Sequence, residues 1–299
     1  MMNRILVSGV SGPIGSALLP LLQSRGCEVV RLTRSPIANA SSQIAWAPDR
    51  PIEPEKVSGF DAVIHLAGES IIGRWTASKK AKIRDSRVVG TGNLADALSK
   101  TARKPMVFVC SSAIGYYGSR GDEVLNETSP AGSGFLADVC REWETATQSA
   151  VNSGIRTVNI RTGVVLSPKG GALGKMLTPF KLGVGGRIGS GRQWMSWIDV
   201  QDMAGAIHYI LETESLRGPV NMVAPNPVTN EEFTRTLARV LSRPAIFPLP
   251  AFVVKAAFGE MGEAVLLGSQ RVQAARLMSA GYPFRSTDLE SCLRGTLQR

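Results

Sequence analysis

The sequence predicts an α/β fold: a doubly wound parallel sheet followed by a smaller, mostly helical C-terminal lobe. Three observations predict it. Short apolar runs alternate with stretches of helical periodicity through the first half of the chain. A glycine-rich turn separates the first apolar run from the first such helix. After about Ser167 the alternation gives way to glycine-punctuated and then proline-interrupted segments. Residues 1–167 are therefore expected to form the sheet domain and residues 168–299 mainly the second lobe. Later segments near 193–223 are available to complete the sheet.

The elements follow in order. Arg4-Ile-Leu-Val-Ser8 reads as a strand. Ile14, Ala17, Leu18, Leu21 and Leu22 recur at helical spacing until Gly26 stops them, and Glu28 to Thr33 is a second strand. Strand, loop, helix and strand within about thirty residues make one βαβ unit. Phe60–Leu66, Met106–Cys110 and Thr157–Arg161 are further strands, separated by helices over Ser78–Ser99 and Phe135–Val151. Beyond the glycine-dense stretch from Gly170 to Gly191, a helix is expected near Met203–Leu211 and a strand at Pro219–Val223. Thr229-Asn-Glu-Glu232 has capping-box spacing and should open another helix.

Composition narrows the class. The chain has 299 residues, 43% hydrophobic and 19% charged, as a globular protein does. A formal net charge of +10 favours anionic ligands. Its four cysteines lack metal or disulfide spacing, and two histidines cannot build a histidine-rich metal centre. No apolar run has membrane-spanning length, and the first strand begins too near Met1 for a leader, so a reduced, cytoplasmic setting is expected.

The turn after the first strand is Gly9-Val-Ser-Gly12-Pro-Ile-Gly15. Its glycines suit a sharp exit from the strand, close approach of backbone to a pyrophosphate, and tight packing of helix on strand. Ser11, Pro13 and Ile14 lie in the same loop, and the helix behind it offers amides and a partial positive charge to phosphate. This is a Rossmann-type dinucleotide site. The second strand ends in Arg31-Leu-Thr-Arg34 with no carboxylate nearby. An acidic residue there would take the ribose hydroxyls of NAD. Arg34 instead suits the 2′-phosphate of NADP.

Four further motifs occur in order: His65-Leu-Ala-Gly-Glu69, Ser111-Ser-Ala-Ile-Gly-Tyr-Tyr-Gly118, Arg161-Thr-Gly-Val-Val165 and Trp197-Ile-Asp-Val-Gln-Asp202. With the glycine loop, they resemble the extended short-chain dehydrogenase/reductase superfamily. Gly186-Arg-Ile-Gly-Ser-Gly-Arg-Gln-Trp194 and the helical tail narrow the resemblance to its atypical "epimerase family" of NAD(P)-dependent nucleotide-sugar epimerases. The resemblance implies that Leu66, Ala67 and Gly68, with Glu69 beyond them, run beneath adenosine and pyrophosphate. Arg87 would reach the cofactor phosphates. Ser111 and Ser112 would lie near the nicotinamide and Arg161 on the substrate side. The substrate would be a small nucleotide sugar or another anionic hydroxyl or carbonyl compound.

Relatives of this kind carry Tyr-x-x-x-Lys, in which the cation makes the phenol a usable base. Here the matching segment reads Phe135-Leu-Ala-Asp-Val139, so the pair is absent. Substitutes are Tyr117 or Tyr116 as acid, Asp138 or Glu69 as carboxylate, and Ser112 (or Ala113, counting back from Tyr117) at the serine position. Ser112 and Tyr117 are the catalytic candidates. Two readings stay open: an NADP-dependent oxidoreductase or epimerase, and a dinucleotide-binding protein with a structural, redox-sensing or partner-binding role. The basic run from Lys79 to Arg87 lacks interleaved aromatics and fits a solvated helix face better than nucleic acid. Trp194 and Trp197 are open to a role in a substrate cleft or in the core. Arg187 and Arg192 are open to substrate anions or to solvent.

Overall fold

The computed structural model describes residues 2–35 and 42–298. Seven strands form one sheet: β1 (Arg4–Ser8), β2 (Glu28–Thr33), β3 (Gln43–Ala45), β4 (Ala62–His65), β5 (Val107–Ala113), β6 (Arg156–Thr162) and β7 (Gly218–Met222). Their order is β7-β6-β5-β4-β1-β2-β3, with every neighbouring pair parallel. β1 sits between β2 and β4, with Ile5 opposite Val29 on one side and Ala62 on the other. The connectivity therefore reverses at β1/β4, the switch point beyond which ligands of such sheets bind.

Alternation along each strand divides the core. Ile5, Val7, Ile64, Val107 and Val109 face α1 (Pro13–Ser24), whose Leu18 and Leu22 they bury. Leu6, Val63 and Phe108 face the other way, onto Leu94 and Leu98 of α2 (Ala77–Lys100). On that side the expected helix from Phe135 to Val151 is two helices, α3 (Phe135–Thr145) and α4 (Gln148–Asn152). Thr147 Oγ1 donates back to Glu144 O at 2.7 Å, a local bond that competes with helical continuation.

The second lobe departs further from expectation. α5 (Gly171–Lys181) lies in the glycine-dense stretch and contains Pro179, yet Leu173, Leu177 and Phe180 bury one side of it. Packing outweighs local propensity there. α6 (Val200–Glu212) covers the sheet beside α1, capped by Asp199. α7 (Asn230–Leu241) starts in the capping box of Thr229 and Glu232. The tail is broken into α8 (Ala251–Phe258), α9 (Ala275–Ser279) and α10 (Leu289–Leu297). Trp197 is fully buried among Leu173, Phe233, Leu237 and Leu293. β7 comes from this second half and completes the sheet beside β6.

One polar knot fixes the switch point. Ser8 Oγ, at the end of β1, accepts from Leu66 N at 3.2 Å and Ala67 N at 3.3 Å. Its single proton is left for His65 Nδ1 at 2.7 Å, so the imidazole carries its own proton on Nε2. His65 is 0% exposed and stands edge to face with Trp46. Burial pushes its pKa down from 6.5 to about 4. Between those values the folded state binds fewer protons than the unfolded chain, so stability rises with pH. The contribution is whole above pH 6.5 and is lost as pH falls toward 4. Urea unfolding should lose about 3 kcal/mol across that window on this account. His65→Gln, which does not titrate, should flatten the profile there; parallel wild-type and variant profiles would refute the assignment.

Candidate functional site

A cleft of about 380 Å³ opens at the switch point, where the exits of β1, β2 and β4 meet. Gly9, Ser11, Gly12, Arg34, Leu66, Ala67, Gly68 and Glu69 all line it. The three glycines earn their places differently. Gly9 has φ +74°, and a Cβ there would lie 2.6 Å from Leu66 C. A Cβ on Gly15 would fall 2.5 Å from Gly9 O, so this glycine seats α1 under the loop. At Gly12 a Cβ would meet nothing nearer than Gly9 O at 3.5 Å. No protein atom demands glycine at that position. The backbone there is open to close approach by a ligand. Gly12 precedes α1 without a side-chain cap, Pro13 opens the helix, and Ile14 packs on the core. The loop is thus a cradle of backbone, with the partial positive charge of α1 behind it, and its chemistry fits a pyrophosphate.

The far end of the cleft lies past β2 and β3. Arg34 is exposed there and makes no ion pair among the described residues. Leu32, Trp46, Pro48 and Ser86 also line the wall. Trp46 and Pro48 escaped sequence reasoning because β3, the three-residue edge strand that delivers them, is too short to leave a period. Glu69 accepts from Lys79 at 2.6 Å, and that ammonium holds its carboxyl below the usual range. A larger groove of about 790 Å³ runs between α1, α6 and α10. Its Asp199 carboxylate is engaged with the α6 amides and Thr296, while the exposed Lys169 and Arg285 lie at its wall.

The ends of β5 and β6 carry a buried polar network instead of open catalytic groups. Glu144 accepts from Arg161 Nε and Nη2, each at 2.8 Å, and from Ser112 Oγ at 2.7 Å. Arg161 Nη1 donates to Tyr117 Oη at 3.0 Å, and Tyr117 Oη donates to Asn221 Oδ1 at 2.7 Å. Ser112 and Arg161 are each 3% exposed and Tyr117 0%. Burial pushes the Tyr117 phenol up, against the opposing pull of Arg161. The hydroxyl of Tyr117, expected from the sequence as a catalytic candidate, is enclosed and occupied on both sides. Ser112 likewise spends its proton on Glu144, away from the cleft. Ser111 is buried beside it. Tyr116 is only partly buried, its ring lying 3.4 Å from Arg161 Cζ.

α3 carries neither tyrosine nor lysine. Phe135 packs against Trp75 and Val139 is buried. The row nearest β5 is Leu136, Cys140 and Glu144, since a Cβ on Gly115 would lie 3.3 Å from Leu136 Cβ and 3.8 Å from Cys140 Sγ. Asp138 pairs with Arg141. The basic run on α2 is largely committed within the chain: Lys79 to Glu69, Lys80 to Glu260, and Arg84 to Glu142. Arg87 stacks on Trp143 at 5.0 Å, behind Gly68. Trp197 donates to Asn226 O in the core, and Trp194 donates to Asp122. Arg187 bonds Ser190 O, and Arg192 is exposed. Among the described residues there is no cluster of metal-ligating side chains, and no helix is long and apolar enough to cross a membrane.

Comparison with known proteins agrees with this geometry. The chain is 41% identical over 296 residues to Epimerase family protein Mb2239 of Mycobacterium bovis, covering 98% of this chain and 97% of that protein. The crystal structure of human epimerase family protein SDR39U1 with NADPH superposes with a TM-score of 0.91 at 36% identity, over 99% of both chains. The nucleoside-diphosphate sugar epimerase from Corynebacterium glutamicum gives 0.83 at 35% identity, over 99% of this chain and 58% of that one. A domain of unknown function matches residues 249–295. The family model described as "NAD dependent epimerase/dehydratase family" matches residues 5–223, from the first strand of the sheet to the end of its last. By sequence, sheet order and loop geometry together, the chain belongs to the NAD dependent epimerase/dehydratase family.

Proposed function

We propose that this chain binds NADP(H) and is an oxidoreductase or nucleotide-sugar epimerase-like enzyme. The observation that carries the reading is the pairing of Gly12, open to a ligand, with Arg34 at the other end of the same cleft. The human relative's crystal structure contains NADPH, which supports the choice of cofactor. Gly9, Ser11, Gly12, Pro13, Ile14 and Gly15 would hold the pyrophosphate, and Arg34 the 2′-phosphate. Leu66, Ala67, Gly68 and Glu69 would form the floor, and Arg87, Ser111 and Arg161 the side toward β5. The nicotinamide would supply or accept a hydride at a carbonyl or carbinol carbon of a small nucleotide sugar or similar hydroxylated anion.

Residues 1–167 serve in this reading as the cofactor domain, completed by β7, and residues 168–299 mainly as the substrate lobe. A reduced, cytoplasmic setting belongs to it, the four cysteines being free thiols. The chain's own side chains orient and exclude rather than relay protons: Glu144 and Arg161 hold the β5 and β6 ends rigid.

A second reading is favoured by one observation, the enclosure of Tyr117 and Ser112 above an α3 without tyrosine or lysine. It is a dinucleotide-binding protein whose role is structural, redox-sensing or partner-binding. Titration with NADPH followed by a substrate screen on nicotinamide absorbance separates the two: tight binding without any turnover supports the second.

Arg34→Ala should weaken NADPH binding by about 10-fold or more while leaving NADH nearly unchanged, because a charge-assisted contact to phosphate is lost. Equal losses for both cofactors would remove the 2′-phosphate assignment. Tyr117→Phe should lower stability by about 1–3 kcal/mol, since Asn221 and Arg161 each lose a buried partner, with any turnover at saturating cofactor preserved. A large fall in kcat without loss of stability would restore Tyr117 as an acid.

A further inference from the structure

The second lobe holds an apolar slot that shares no residue with the cleft at the switch point. Its volume is about 390 Å³, and it lies between α5, α7 and the segments 184–188 and 247–249. Met176, Pro179 and Phe180 of α5 and Phe233 of α7 form its walls. Val184 and Phe247, 55% and 56% exposed, stand at its mouth. A hollow of about 320 Å³ adjoins it through the shared Thr234 and Pro248, and carries Arg187, Arg235 and Glu231. The Thr234 hydroxyl makes no hydrogen bond among the described residues.

The charge of the hollow is not balanced. Arg187 and Glu231 lie side by side, since a Cβ built on Gly191 would fall 3.4 Å from Arg187 Cδ and 3.0 Å from Glu231 Cβ. Glu231 meets Arg235 only at 3.9 Å, and Arg187 spends Nη1 alone, on Ser190 O at 3.0 Å. Two guanidiniums against one carboxylate leave a single positive charge, in the planar form that suits a carboxylate. The backbone around the slot is already paired. Ile188 N donates to Asn230 Oδ1, Gly189 N to Leu249 O and Leu249 N to Arg187 O, so an extended peptide finds those donors taken. Two copies of the chain face to face would set arginine against arginine. What matches the pair of cavities is an apolar chain ending in one negative charge.

We propose that the slot and the hollow form one binding site for a single-chain anionic amphiphile, an alkyl carboxylate. The chain lies among Phe180, Phe233 and Phe247. The carboxylate meets Arg187 and Arg235, and Thr234 donates to it where the two cavities join. The site is independent of the dinucleotide reading above, and neither stands on the other.

The test measures dissociation constants of the full chain by isothermal titration with decanoate, decanol and butyrate, all below the micellar range. Decanoate should bind about 10-fold or more tighter than decanol, which lacks the charge, and than butyrate, which lacks the chain. Arg187→Gln should weaken decanoate about 10-fold and leave decanol within about twofold, a split that general unfolding would not produce. Glu231→Gln removes the competing carboxylate and should tighten decanoate about threefold. Val184→Asp and Phe247→Asp change exposed side chains at the mouth and should each weaken decanoate and decanol alike, about 10-fold or more. Equal affinities for decanoate and decanol, or equal losses for both in Arg187→Gln, overturn the proposal. So does a chain that takes up no decanoate but sediments with phosphatidylglycerol vesicles, or dimerises through this face, since the patch then serves a bilayer or a second copy.

Discussion

The approach of two backbones at the switch point is the constraint from which the site is built. Gly9 passes so close to Leu66 that a side chain would overlap it, and Ser8 ties that approach with three hydrogen bonds to residues 65–67. Ser8 and His65 are buried, so leaving their hydrogen bond unmade would cost the desolvation of a polar group. The cleft floor is therefore as rigid as the sheet under it. Gly15 then presses α1 onto the same loop, aligning the helix start with the floor. The binding geometry follows from strand ends that cannot move independently.

Toward β5 the logic changes from open backbone to closed side chains. Glu144 satisfies Arg161 on a bidentate edge and accepts from Ser112, while Tyr117 bridges Arg161 to Asn221 of β7. This chain of bonds stitches β5, β6 and β7 to α3. A buried charge pair of this kind holds together only because both partners are fully bonded, and removing one partner strands the other. It explains why polar residues at the strand ends, which suggest chemistry in a sequence, are here part of the scaffold.

Much of this was legible in the residues. Short apolar runs and the glycine loop announce the parallel sheet, because buried strands and a sharp strand exit leave strong local signatures. The capping box at Thr229 is equally local and is formed in the structure. What stayed hidden depended on tertiary contacts. β3 is three residues long, and its Trp46 became visible as a cleft wall only when the edge strand was in place. α5 is held by the side chains it buries, against the advice of its glycines and Pro179. The helix register of α3 offered Phe135 and Val139 by alignment, whereas packing against Gly115 brings Leu136 and Cys140 to the β5 end. Whether a hydroxyl is free or spent, as for Tyr117, is a fact about its neighbours across the sheet.

α2 binds three parts of the molecule at once. Lys80 reaches Glu260 near the tail, Arg84 reaches Glu142 on α3, and Arg87 lies between Trp143 and Gly68. Each added or deleted residue turns a helix by about 100°. A single insertion before Lys80 that the helix absorbed would swing all three cations off their partners together, whereas a substitution disturbs one. Among homologues, then, α2 should drift in composition on its outer face yet hold its length, and gaps should collect in the loops on either side.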